Sequence, residues 1–108
     1  MLTNQTHPNI TVPRDEIAAF CRRWQITEFA LFGSVLRDDF RADSDIDVLV
    51  TFALDAHWTL LDFVQMQEEL KGMFGREIDL VSRRGIEASH NYIRRKAVLS
   101  SAEPIYVA

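Results

Sequence analysis

Asp45-Ile46-Asp47-Val48-Leu49-Val50-Thr51-Phe52 is the stretch on which the fold turns. Its run of β-branched residues reads as a strand. Side chains alternate along a strand, so Ile46, Val48 and Val50 share one face and Asp45 and Asp47 the other. The apolar set has a core to cover. An isolated Asp-x-Asp is more often a surface pair, but this one opens a strongly apolar strand, where burying unpaired charge is costly. Two carboxylates held so close repel each other unless a cation sits between them. Mg²⁺ suits that place, because it is a hard ion that takes oxygen ligands and keeps positions open for substrate phosphates.

Upstream, Ile26 to Phe32 reads as a buried strand that stops at Gly33-Ser34, where a short helical turn runs through about Asp39. Glycine lets a phosphate come close to the backbone, and Ser34 and the free N–H groups of a turn donate to it. Arg37, one turn further on, is placed to reach the same anion. A lone Gly-Ser is only a turn; its weight comes from the strand of acids that follows. Downstream, Glu77-Ile78-Asp79-Leu80-Val81 repeats the pattern, with Ile78 and Leu80 opposite Asp79. If the two acid-bearing strands lie side by side, Asp45, Asp47 and Asp79 converge. Such a triad holds two cations about 3.5–4 Å apart, the arrangement that stabilises both oxygens of a phosphoryl displacement.

The remaining segments supply the framework. A helix is expected from Pro13 to Trp24, with Ile17, Phe20, Cys21 and Trp24 on one face. A longer helix is expected from Trp58 to Phe74, its apolar side built from Leu60, Phe63, Val64, Met66, Leu70 and Met73. A basic helix is expected over Glu87 to Val98, and Pro104 to Val107 reads as a last short strand or an extended tail. Strands alternating with helices indicate an α/β domain spanning residues 1–108, with residues 1–9 expected to be flexible. His7, His57 and His90 are scattered and, with Cys21, make no metal-ligand spacing. Arg94, Arg95 and Lys96 could meet phosphate, a partner or solvent, and are assigned first to solvent and second to a partner.

Composition narrows the function classes. Hydrophobic residues make up 47% and charged residues 26%, an ordinary globular balance. The net charge of −4 disfavours a long polyanionic partner, so direct binding to nucleic acid is not expected. A single cysteine allows no internal disulfide, the first residues lack a basic start and an apolar stretch, and no run approaches the roughly 18 apolar residues of a membrane span. A cytoplasmic location is expected.

Leu31-Phe32-Gly33-Ser34, then Arg37, then Ser44-Asp45-Ile46-Asp47-Val48-Leu49-Val50 resembles the signature of the DNA polymerase beta-like nucleotidyltransferase superfamily, in particular its minimal nucleotidyltransferase branch. Asp79 and the closing Ile105-Tyr106 fit the same pattern, and the resemblance covers roughly residues 13 to 107. The chain departs from the family in carrying Asp38-Asp39 where a small residue often follows the arginine. The resemblance implies a small mixed β-sheet flanked by helices. It implies that Gly33, Ser34 and Arg37 hold the triphosphate of ATP, that Asp45, Asp47 and Asp79 ligate two Mg²⁺ ions, and that Asp79 helps accept the acceptor's proton.

Larger members of that superfamily hold their acceptors with additional domains, which leaves this short chain to meet its acceptor on another protein. Short members resemble antitoxins that attach AMP to a tyrosine of a HEPN-type ribonuclease toxin, and that is the expected activity. Two alternatives stand beside it: adenylylation of a small molecule such as an aminoglycoside, and a catalytically idle module that masks its partner. Homo-oligomerisation is left open.

Overall fold

The structure, a computed structural model, describes residues 5–6, 11–36 and 44–108. Two short strands, β1 (Gln5–Thr6) and β2 (Thr11–Val12), pair antiparallel and lead into helix α1 (Arg14–Arg23). Pro13 stands at the N-cap of α1, Asp15 and Glu16 sit at its positive end, and Arg22 and Arg23 at its negative end. β3 (Ile26–Phe32) follows and passes into a 3₁₀ turn, Gly33–Leu36. β4 (Ile46–Phe52), α2 (Leu60–Phe74) and β5 (Ile78–Ser82) form a strand–helix–strand unit, and α3 (Arg83–Glu87), α4 (Tyr92–Ser101) and β6 (Glu103–Val107) complete the chain.

The sheet has the order β5-β4-β3-β6. β4 and β5 are parallel, as a helical crossover requires, whereas β3 pairs antiparallel with both β4 and β6. The expected mixed sheet flanked by helices is therefore present, and the closing segment is a strand rather than a tail.

Strand alternation divides the interior into two layers. Ile46, Val48 and Val50, with Ile78 and Leu80, face α1 and α2 in the larger core, which also holds Phe20 and Phe29 packed edge to face at 6.3 Å. Ala30, Phe32 and Leu49 face the other way, against Ile86 of α3 and Val98 of α4. Asp47 and Asp79 belong to this second face, at the end of the sheet where β4 and β5 begin.

Two expectations about the helices are corrected. The helix expected from Trp58 starts at Leu60, because Thr59 and Asp62 close a capping box: Asp62 N donates to Thr59 Oγ1 at 3.2 Å, and Thr59 N donates to Asp62 Oδ2 at 2.8 Å. Its apolar side is narrower than the sequence suggested. Met66 and Leu70 are fully buried, but Leu60 and Val64 are 82% and 50% exposed, and Leu61 is 80% exposed beside them. The basic helix is two helices. Asn91 breaks it by turning its side chain onto Arg94 N at 3.0 Å, which caps a new helix.

Cys21 lies wholly in the core, and burial pushes its thiol up to about 12, although the neighbouring Arg22 charge pulls the other way. It stays a neutral packing residue. Glu69 ties α2 to α1. Burial pushes its carboxyl up, yet hydrogen bonds from Trp24 Nε1 (3.1 Å), from Arg23 and from Gln65 (3.1 Å), with the Arg23 charge, outweigh it and hold Glu69 below its usual 4.5. A depressed acid stabilises the fold above its unfolded-state value and loses that contribution as pH falls through the folded one. Glu69→Gln is therefore expected to lower stability at neutral pH and to flatten the acid limb of thermal stability below about pH 4.5. Melting curves from pH 3 to 7 that kept the wild-type slope would count against this role.

Candidate active site

Each acid is placed by a strand. In the parallel register of β4 and β5, Asp47 stands directly beside Asp79, and Ile46 beside Ile78. Adjacent strands lie about 4.8 Å apart, and laterally paired residues share a face. The ladder begins with Ile46 N donating to Glu77 O at 3.0 Å, so Asp45 sits just outside the paired region. Asp45 and Asp79 are exposed and Asp47 is half-buried. The register thus brings Asp47 and Asp79 side by side at the end of the sheet, with Asp45 just ahead of β4. Among the described residues, no three His, Cys, Asp or Glu side chains are placed so that together they could hold a metal ion, so the expected three-acid cluster is not assembled as the side chains stand.

Gly33 is fixed by its neighbours. Phe32 pairs with Asp47 across β3 and β4, so the chain turns away from β3 directly over the Asp47 carboxylate. Gly33 adopts φ +74, and a Cβ there would overlap Asp47 Oδ2 and stand 3.1 Å from Cγ. Backbone and acid are in close contact, which is the approach a bound phosphate needs as well. Ser34 lies in the same 3₁₀ turn. Arg37 lies outside the described residues.

An open groove of about 550 Å³ is lined by Asp47 and the Gly33 turn, while Asp45 and Asp79 lie outside its lining. One wall is Phe32, Gly33, Leu36 and Asp47; the other is α4, through Arg94, Ala97 and Ser101. From the sequence, solvent ranks first for Arg94, with a partner and phosphate as the other contacts open to it. The signal was available in the spacing, since Arg94, Val98 and Ser101 fall on one helical stripe whose middle member is buried against the sheet.

The neighbouring cations are held elsewhere. Arg95 donates to Ser89 O at 2.7 Å and stacks 5.4 Å from the Tyr92 ring, while Arg83 donates to Thr51 Oγ1 at 3.1 Å and pairs with Glu28 at 3.7 Å. A second cavity, of about 390 Å³, lies at the opposite end of β4 among Phe52, Trp58 and Phe63 and contains none of the three acids.

Residues 15–101 match the model of the nucleotidyltransferase domain. The protein adenylyltransferase MntA of Thermococcus cleftensis is 33% identical over 66 residues, which is 61% of this chain and 65% of that protein, just under two thirds of its length. A solved structure assigned to the minimal nucleotidyltransferases is 35% identical, covers 85% of this chain and 88% of its own, and superposes with a TM-score of 0.64. A toxin–antitoxin crystal structure with AMP-PNP shares the fold at a TM-score of 0.68 and 20% identity, over 88% of this chain and 73% of its own. A strand pair carrying the acids, a glycine turn pressed against them and a domain-length match together establish that this chain belongs to the nucleotidyltransferase domain family.

Proposed function

We propose that this chain transfers AMP from ATP to a hydroxyl, a tyrosine of a HEPN-type toxin, and acts as that toxin's antitoxin in the cytoplasm. The observation that carries the reading is the lateral pairing of Asp47 with Asp79 under the Gly33 turn. The names of the relatives support it: protein adenylyltransferase for the Thermococcus cleftensis chain, and a tri-AMPylated HEPN toxin with its MNT antitoxin for a Shewanella oneidensis complex that shares the fold at 20% identity and a TM-score of 0.60. Neither the small-molecule reading nor the idle-module reading has a relative in its favour among these.

The donor chemistry suits magnesium, since Asp47 and Asp79 stand side by side with hard carboxylate oxygens and Asp45 lies two residues ahead of Asp47; the ion would have to draw the third carboxylate in. Asp45 and Asp47 would hold both ions and Asp79 one of them, and the metal would neutralise charge on the phosphates as the displacement proceeds. Gly33 and the N–H groups of its turn, with Ser34 and Arg37, would bind the triphosphate tail. Asp79 would take the proton of the acceptor hydroxyl. That oxygen then forms its bond to the α-phosphorus in line as the bond to the bridging oxygen breaks, and pyrophosphate leaves with the electron pair. Positioning and charge neutralisation account for most of such catalysis.

The test is intact mass of the co-purified toxin after incubation with MgATP. Addition of AMP units to a tyrosine supports the proposal. A toxin left unmodified while an aminoglycoside becomes labelled in a parallel incubation would replace it with the small-molecule reading.

A further inference from the structure

We infer that Arg94, on α4, is a second-wall ligand for the triphosphate, gripping its phosphates across the groove from the Gly33 turn. The inference rests on the nucleotide-binding reading above. Arg94 lines the same groove as Gly33 and Asp47. Among the described residues it is the one cation on that groove, and its guanidinium has no hydrogen-bond or ion-pair partner there. Arg83 and Arg95, by contrast, are held by Thr51, Glu28, Ser89 and Tyr92.

The placement is rigid where it matters. Val98, one turn along α4, is buried against Phe32 and Leu49, and the Asn91 cap fixes the start of the helix. Charge calls for such a group. The negative charge of a nucleoside triphosphate and three carboxylates outweighs that of two divalent cations, so the loaded site remains anionic without further positive side chains. A guanidinium matches phosphate oxygens in a bidentate fork and keeps its charge at every working pH. Arg94 faces Gly33 rather than the distal cavity, which directs it to the phosphates and not to a partner docked elsewhere.

The experiment is nucleotide affinity by calorimetry with Mg²⁺, comparing ATP, AMP and adenosine on wild type, Arg94→Ala, Arg94→Lys and Lys96→Ala. Lys96 is an exposed neighbour outside the groove and serves as the charge control. Loss of a charge-assisted pair predicts about tenfold or greater weakening of ATP for Arg94→Ala, with partial recovery in Arg94→Lys. Adenosine should bind all four proteins alike, and Lys96→Ala should bind ATP as wild type does.

Equal ATP affinity for wild type and Arg94→Ala overturns the inference and leaves the nucleotidyltransferase reading intact. Equal weakening of ATP, AMP and adenosine overturns it too, by placing Arg94 at the nucleoside or in the fold. A wild-type protein that binds no MgATP at all removes the inference together with the reading beneath it.

Discussion

Asp47→Asn is expected to abolish AMP transfer, lowering it at least about a thousandfold, while leaving the protein folded. A thousandfold loss corresponds to roughly 4 kcal/mol of transition-state stabilisation, within what a metal-held phosphoryl transfer draws from its cations. Asparagine preserves the shape of the side chain but offers one neutral carbonyl in place of a carboxylate. Asp47 stands beside Asp79 in the ladder, and like charges directly opposed on adjoining strands destabilise a sheet. Melting temperature should accordingly stay level or rise slightly. The measurement is intact mass of the partner toxin with ATP and Mg²⁺, alongside a thermal melt. Transfer at near wild-type rate would remove Asp47 from the site. If the Asp45→Asn, Asp47→Asn double variant still silenced the toxin, masking rather than modification would be the means of inhibition.

The sheet was legible because its strands obey a two-residue period. Ile46, Val48 and Val50 on one side and Asp47 and Leu49 on the other are where alternation puts them, and Ile78 and Leu80 against Asp79 repeat the rule. The neighbouring of β4 and β5 was implicit in the helix between them, since a crossover helix commonly joins adjacent parallel strands. Helix α2 was less readable. Its apolar residues occupy two sides, Met66 and Leu70 inward and Leu60, Leu61 and Val64 outward, and periodicity alone cannot say which side the sheet will cover. The break at Asn91 was hidden by composition: Arg94, Arg95 and Lys96 suit a helix wherever it starts, and only the Asn91 side chain on Arg94 N shows that the helix starts anew.

The positions of Asp47, Asp79 and Gly33 on the strands were legible for a related reason. They sit on strand ends, where local sequence fixes direction. The opposite wall was not legible, because Arg94 comes to the groove that Asp47 lines only through the return of the chain over the second face of the sheet, a tertiary fact carried by Val98 and Ile86. Within the run of three basic residues, only the helical spacing to Val98 and Ser101 marks Arg94 as the member on the groove side. Here Arg95 is tied to Ser89 and Tyr92, while Arg94 and Lys96 are both exposed, Arg94 on the groove and Lys96 away from it.

Gly33→Ala should cost both stability and activity, and a double-mutant cycle can divide the two causes. At φ +74 an L-residue pays about 1–2 kcal/mol for the left-handed region. The added Cβ also overlaps the Asp47 carboxylate, so either the turn or the acid must move. Together these predict a loss of about 2 kcal/mol or more, and a domain of this length loses about 4–8 °C in Tm for each. AMP transfer should fall at least about a hundredfold, because displacement of about 1 Å at a reacting centre has that effect. In an Asp47→Ala background the oxygen and Cγ that crowd the new methyl are gone, and only the Asp47 Cβ remains, at an ordinary 3.4 Å. The same substitution should then cost only its backbone strain, so the two changes couple by roughly 1 kcal/mol. Equal costs in both backgrounds would show that the turn does not rest on the carboxylate, and the close seating of acid beneath glycine would lose its place in the site.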